Sequence, residues 1–360
     1  MKTNFNNSWR KTVFFAFLIL SSVTLYNCSN DDDNPGPDPI TQEEVDEAFE
    51  GVEEIPDLED EDPEVEEPDT SAETEEPAAT TAAAANVTAA TSEDDLTPET
   101  QQVLDDVEAA SASLPASVTT AAANLTPEAI SNILDIDADI DDELEADDII
   151  TSLPENVRNL LPRITFNFSS GSGASSILLQ DGVSSLNVGV QLDPIAQTVE
   201  APCEDLWNDT YDEMIAELQE VRDAQLATIT ANYNRRMTEA GTRYDTRLAA
   251  LQAERAESVT ELSETANDFL AAAAVLDLSE DQLRTLALLY ALEGRRQIRT
   301  WYNTAVAVLQ ESRETEEATA ASLRDQRTAT VTANYQTSAN QALQIRNEGL
   351  AVCHNQGAGS

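Results

Sequence analysis

From Leu226 onward the chain is written in blocks of eleven: LATITANYNRR, MTEAGTRYDTR, LAALQAERAES and VTELSETANDF. Leu226, Met237, Leu248, Val259 and Leu270 hold the first position; Ile229, Ala240, Leu251, Leu262 and Ala273 hold the fourth. Eleven residues in three turns is about 3.67 per turn, so a stripe of this period stays on one face of a straight or slightly right-handed rod, not of the left-handed heptad coil. The register extends back through Leu218, Ile215, Tyr211 and Trp207. A second stretch repeats the period with Ile298, Leu309, Ala320, Val331, Ala342 and Cys353, flanked by Trp301, Leu323 and Ile345. Two long helices that each carry an apolar stripe must bury it against something, and each other's stripe is the nearest cover.

The junction between the two stretches reads as a helix start. Ser279 is a good N-cap, Gln282 completes a capping box three residues later, and Leu278 and Leu283 flank the box as a hydrophobic staple. Cys203 and Cys353 are equidistant from Leu278. The spacing therefore predicts an antiparallel hairpin over 201–354, one helix climbing to about Leu276 and a second descending from Ser279. The cysteines then meet at the base, and Cys353 lies on the apolar face, as a disulfide to Cys203 requires. Seventy-odd residues at about 1.5 Å rise give a rod of roughly 105 Å. In this symmetric pairing Arg255 faces Trp301, and the tip from Asp277 to Asp281 is the part free to touch a partner. A direct repeat, ATITANY from Ala227 and ATVTANY from Ala329, lies one copy on each arm. The many alanines allow close approach but bury little area, so the pair is expected to recruit further helices, from the 96–163 segment or from another subunit in a homo-oligomer.

The other end of the chain speaks about location. Lys2, Arg10 and Lys11 precede an apolar run from Thr12 to Tyr26. At about 15 residues the run is short of the roughly 20 a spanning helix needs, so 1–27 reads as an export signal. The stretch Leu25-Tyr26-Asn27-Cys28 resembles a bacterial lipoprotein lipobox, with Asn27 where that family usually has Gly, Ala or Ser. Cys28-Ser29-Asn30-Asp31-Asp32-Asp33 resembles the acidic export signal of Bacteroidetes-type surface lipoproteins. The resemblance covers residues 1–33 and implies palmitate or a related lipid on Cys28, anchorage in the cell outer membrane, and a surface-facing placement. It also fits the cysteine arithmetic: with Cys28 lipidated, Cys203 and Cys353 remain as a pair, which an oxidising compartment lets close.

Charge organises the rest. No Lys or Arg occurs between Lys11 and Arg158, while residues 29–157 hold 41 Asp or Glu. Removal of the signal takes away Lys2, Arg10 and Lys11 and moves the formal charge from -50 to -53. Nucleic acid and anionic lipid surfaces would repel such a chain. Residues 28–95, acidic, proline-bearing and then Ala/Thr-rich, are predicted to be a disordered tether, extended by self-repulsion. Residues 96–163 form a small helical segment: Leu96-Thr97-Pro98-Glu99 and Leu125-Thr126-Pro127-Glu128 each place Thr at the N-cap and Pro at the first helical position. Residues 164–200 alternate and carry glycine turns, which predicts short strands at the base of the rod; 355–360 are a tail. The fold class expected is mainly α: a long antiparallel two-helix coiled-coil hairpin on an eleven-residue repeat, with a small helical and β base region and the acidic tether.

The candidate chemistry is sparse. The mature chain has one histidine, His354, and no lysine, so neither a Ser-His-Asp arrangement nor a Schiff-base lysine is available. His354 beside Cys353 lacks the further ligands zinc requires. Acids at alternate positions over 135–143 look like the start of a calcium loop, but Ile140 stands at the turn glycine and Ala146 at the bidentate glutamate. Weak, diffuse cation association is expected there, with no defined metal site and no cofactor. Gly171-Ser172-Gly173 reads as a turn. These features point to a non-enzymatic, surface-exposed lipoprotein with a structural, adhesive or partner-binding role toward a protein or cell surface. The alternatives are a periplasm-facing accessory subunit or holdase-like clamp of an outer-membrane complex and, from a third class, a hydrolase using a carboxylate pair within 96–200.

Overall fold

Each eleven-residue stripe is where the chain closes on itself. The computed structural model describes residues 40–145, 148–168 and 202–357; the signal segment, Cys28 and residues 169–200 lie outside that set. Because α1 (Gln42–Phe49) through α7 (Glu155–Arg158) occur earlier in the chain, the two rod helices are α8 (Pro202–Ala273) and α9 (Glu280–Gly357). They pack antiparallel over most of their length. Leu218, Ile229, Ala240, Leu251, Leu262 and Ala273 are all at most 6% exposed, and Ile298, Leu309, Ala320, Val331, Ala342 and Cys353 at most 8%, so the period runs unbroken from base to tip. Leu226, Met237, Leu248 and Val259 flank the seam half-buried.

A second eleven-residue series runs along the edges of the seam. Arg222 lies over the ring of Tyr335, Arg324 over Tyr233, Arg313 over Tyr244, Arg255 over Tyr302 and Arg346 over Tyr211, at 4.5 to 5.5 Å. Every stack crosses from one helix to the other, and every pair is symmetric about the Leu278–Ser279 bond. A guanidinium over an aromatic face is attracted by the ring quadrupole, so these layers hold the antiparallel alignment where the stripe, rich in alanine, is permissive. They also account for the direct repeat, whose two tyrosines, Tyr233 and Tyr335, each occupy one layer. The expected partner of Arg255 is corrected by one residue. Trp301 is wholly buried and donates its indole N–H to the Thr70 carbonyl (3.0 Å), while its neighbour Tyr302 takes the guanidinium.

The acidic tether is where the structure differs most from expectation. From Ile40 onward it is folded against the rod. Helix α1 opens with the Glu44 carboxylate accepting the Thr41 N–H (2.9 Å) and buries Val45 and Phe49 on Trp207 at the rod base. The chain then runs up the rod as an extended strap. Gln225 donates to the Pro56 carbonyl and Thr265 to the Glu76 carboxylate, so twenty strap residues run beside forty of α8. Forty helical residues rise about 60 Å, or about 3 Å per strap residue, the pitch of polyproline or strand backbone. Pro56, Pro63, Pro68 and Pro77 keep the strap from coiling into a helix. The composition predicted disorder because the strap has little apolar surface of its own; what orders it is a set of arginines on the rod.

Strand β1 (Ala72–Glu75) ends the strap and pairs antiparallel with β2 (Arg163–Phe166), Ala72 opposite Phe166 and Glu75 opposite Arg163. This small sheet lies on the upper rod, where Ala72 N–H meets Glu254 and Thr74 meets Ser258. Helices α2 (Ala78–Ala89), α3 (Pro98–Ser111), α4 (Ala116–Ala123), α5 (Pro127–Leu134), α6 (Asp148–Thr151) and α7 then wrap the tip. Thr97 and Thr126 cap α3 and α5 through their hydroxyls, at 3.2 and 3.1 Å. The helical and β region therefore surrounds the tip and not the base, because the strap carries the chain the length of the rod before it folds. One core joins it to the hairpin, with Val107, Val118, Ile130, Leu134 and Val157 against Leu262, Phe269, Leu283, Leu286 and Trp301.

Candidate functional site

Several places along the rod bring polar or reactive side chains together. At the base, Cys203 and Cys353 form the disulfide that the hairpin geometry requires, with Cα atoms 5.9 Å apart. The Trp207 indole beside it packs on Phe49 (ring centroids 6.0 Å) and lies flat on Gly349, where any Cβ would sit 2.2 to 2.5 Å from the ring. The lipidation candidate Cys28 lies outside the described residues, as does the side chain of His354.

Halfway up, the strap meets a stripe of arginines. The Asp60 side chain, 6% exposed, forms ion pairs with Arg236 and Arg327, and Asn232 donates to its other oxygen (2.5 Å). Asp62 accepts from Arg235 and Arg236 at 2.6 and 2.9 Å, and these hydrogen bonds hold its carboxyl below the usual carboxylate range. One turn of the repeat higher, Glu316 of α9 accepts from Arg243 (2.6 Å) and Arg247 (3.3 Å), while Glu67 of the strap approaches Arg247 only to 3.9 Å. Arg236 and Arg247 are eleven apart in the series that continues to Ser258 and Phe269, so they face the strap as Phe269 faces the tip core. Sequence reasoning passed over these arginines. Their signal was their register: two arginines at an inward position require acids brought from elsewhere, and 29–157 holds a surplus.

At the tip the turn is closed from outside. The carboxylate of Glu93 accepts the backbone N–H of Leu278 (3.0 Å), the N–H of Ser279 (3.1 Å) and the Ser279 hydroxyl (2.7 Å). Ser279 does precede α9, but its hydroxyl is turned to Glu93 and Gln282 takes no part in a reciprocal box; the Gln282 carbonyl oxygen is buried without a hydrogen bond. Nor is the staple made, since Leu278 is 81% exposed while Leu283 is fully buried in the shared core. A carboxylate from another element satisfies the free N–H groups better than a local serine, because it adds charge where the helix dipole is positive.

Beside the turn, the acidic loop 135–145 is organised by Arg295, which is 4% exposed. Its guanidinium donates to the carbonyls of Ile133 (3.1 Å), Asp135 and Ala138 (2.8 Å) and to the Glu145 carboxylate (2.6 Å). Arg299 and then Arg295 hold the Glu145 carboxyl below its ordinary value. Asp137 pairs with Arg255 at 2.9 Å, and Asp135 and Asp141 accept loop N–H groups. Asp135, Asp137, Asp141 and Glu145 thus serve arginines and backbone; among the described residues no three His, Cys, Asp or Glu side chains are grouped to hold a metal ion. Deeper still, Thr265 and Tyr290 both donate to Glu76, and burial together with that hydrogen bond pushes the Tyr290 phenol far above its usual range. A shallow groove of about 520 Å³ between α5 and α8, lined by Ser131, Ser263 and Asn267 among others, is open to solvent. No described helix is long and apolar enough to cross a membrane.

No protein-family model, curated protein or solved structure matches the chain significantly. What the geometry offers is therefore read from its own parts: a clamp at the base, a charge-paired strap, and a helical head at the far end.

Proposed function

We propose that the protein is a non-enzymatic cell-envelope lipoprotein whose rod carries a helical head away from the membrane, with a structural, adhesive or partner-binding role. The observation that carries this reading is where the chain joins the rod. Ile40 and α1 lie at the disulfide-clamped base, and Ile40 is twelve residues after Cys28, a span of at most about 40 Å. A lipid on Cys28 would hold the base near the bilayer and set the head about 105 Å further out along the rod. A strap that joins base to head and five cross-helix stacks make that spacing stiff, which is what presentation or bracing needs. The acidic surface selects against nucleic acid and anionic lipid, and suits a protein partner or a cation-rich cell surface.

Two measurements test the reading. Metabolic labelling with a palmitate analogue is expected to tag the protein and to be lost in Cys28→Ala; an untagged protein would remove the anchor. Protease treatment of intact cells is expected to release the head. Protection in intact cells together with digestion after outer-membrane permeabilisation would instead favour the periplasm-facing accessory subunit.

A further inference from the structure

The middle of the strap is fastened in an unusual way for a chain so acidic. Between Ile55, which is 7% exposed, and the buried Pro68 no strap side chain is fully buried and apolar; the polar contacts are mainly carboxylates and carbonyls on Arg235, Arg236, Arg247 and Arg327, with Asn232 beside them. The two ends, by contrast, are held by apolar packing, α1 on Trp207 below and β1 with α2 in the head core above. A segment held mainly by ion pairs between two packed ends can open locally without unfolding either end. The strap also leaves its stripe incompletely filled. One terminal nitrogen of Arg247 is buried without a hydrogen bond, Glu67 stays 3.9 Å away, and the Glu67 side chain is 83% exposed.

We propose that this arginine stripe is a binding site for an extended, acidic, proline-interrupted peptide, which the chain's own strap occupies and which a partner segment of the same chemistry enters when the strap lifts. The strap defines the ligand. Acids spaced as in Asp60, Asp62 and Glu67, on a backbone rising about 3 Å per residue, match guanidinium groups repeating every eleven helical residues, about 16 Å apart. Guanidinium forks prefer carboxylates in defined geometry, so the site discriminates by position as well as by charge. The surplus negative charge of the whole molecule is screened beyond about 10 Å at 0.1 M salt and opposes encounter more than contact. The inference does not depend on where the rod is displayed.

The test uses a labelled peptide of residues 55–70, IPDLEDEDPEVEEPDT, and the full disulfide-bonded chain. A variant with Asp60→Asn, Asp62→Asn and Glu67→Gln is expected to bind it one to one, at least tenfold more tightly than the unsubstituted chain, whose strap competes in cis. Binding should weaken with salt and disappear when Arg236→Gln and Arg327→Gln are added. A second variant, with residues 57–67 replaced by a Gly/Ser linker of equal length, covers the case in which the neutral strap stays docked. Circular dichroism and a closed disulfide confirm that each variant is folded. Binding in either variant supports the site; binding in neither, or equal binding of a peptide with its acids changed to amides, overturns it.

Discussion

Gly349 sits where α9 passes beneath the Trp207 indole, and the lack of a side chain there is a packing requirement, since a Cβ would fall within 2.5 Å of the ring. Gly349→Ala is expected to displace Trp207 and cost about 2 kcal/mol, within the usual range for overpacking. Denaturant unfolding and the near-ultraviolet signal of the tryptophan measure it, and an unchanged signal would argue against the contact. Arg255 joins two contacts, the Tyr302 ring at 4.8 Å and the Asp137 carboxylate at 2.9 Å, both partly solvated. Arg255→Ala should therefore lower stability by only about 1 kcal/mol. The acid dependence of the loop 135–145 follows from Glu145, whose carboxyl is depressed by Arg299 and Arg295. A depressed carboxyl contributes its full stabilisation above the unfolded value near 4 and loses it as pH falls through the lower folded value. Hydrogen-exchange protection factors of this loop, corrected for the intrinsic pH dependence of exchange, should hold steady from neutral pH to about 4 and fall below it, and Glu145→Gln should weaken that acid response.

At the level of elements, the strap and the clamp differ in what fastens them. Asp60 sits between two guanidiniums at 6% side-chain exposure, and its loss takes the carboxylate from the half-buried Arg327 and leaves the buried Arg236 with Asp62 alone. Asp60→Asn should cost about 3 kcal/mol locally, as removal of one partner from a buried pair does. It should raise exchange across residues 53–71 with α1 and β1 unchanged; uniform exchange along the chain would show that the strap is not a separate unit. The disulfide closes a loop of 150 residues, worth at most about 5 kcal/mol on the chain-entropy model. Replacing both cysteines by serine should loosen α1 and the rod base and spare the head, because the two ends have separate apolar cores. The cross-helix stacks should keep the hairpin in alignment in that variant, since a slip of one repeat would bring Arg222 opposite Arg324 and break the Arg–Tyr alternation.

For the whole molecule, two cores at opposite ends of a rod imply that unfolding is not a single step, and calorimetry should resolve a base transition below a head transition. The eleven-residue period, the helix junction near Ser279, the cysteine pairing and the starts of α3 and α5 were all legible in the residues, because each rests on spacing or on a local cap. The path of residues 40–95, the position of the head and the true cap of α9 were not. Glu93 and the Ser279 it caps are 186 residues apart, and Asp60 and Arg236 are 176 apart. Composition gave the acidic segment no reason to order, since its own apolar content is low; the reason lies in apolar partners for its two ends and in arginines along its middle, all on other elements. The sequence alone therefore determined the rod, whose information is periodic and local. Only the tertiary structure decided what lies along it, because long-range ion pairs depend on which acids and arginines the fold brings to the same height.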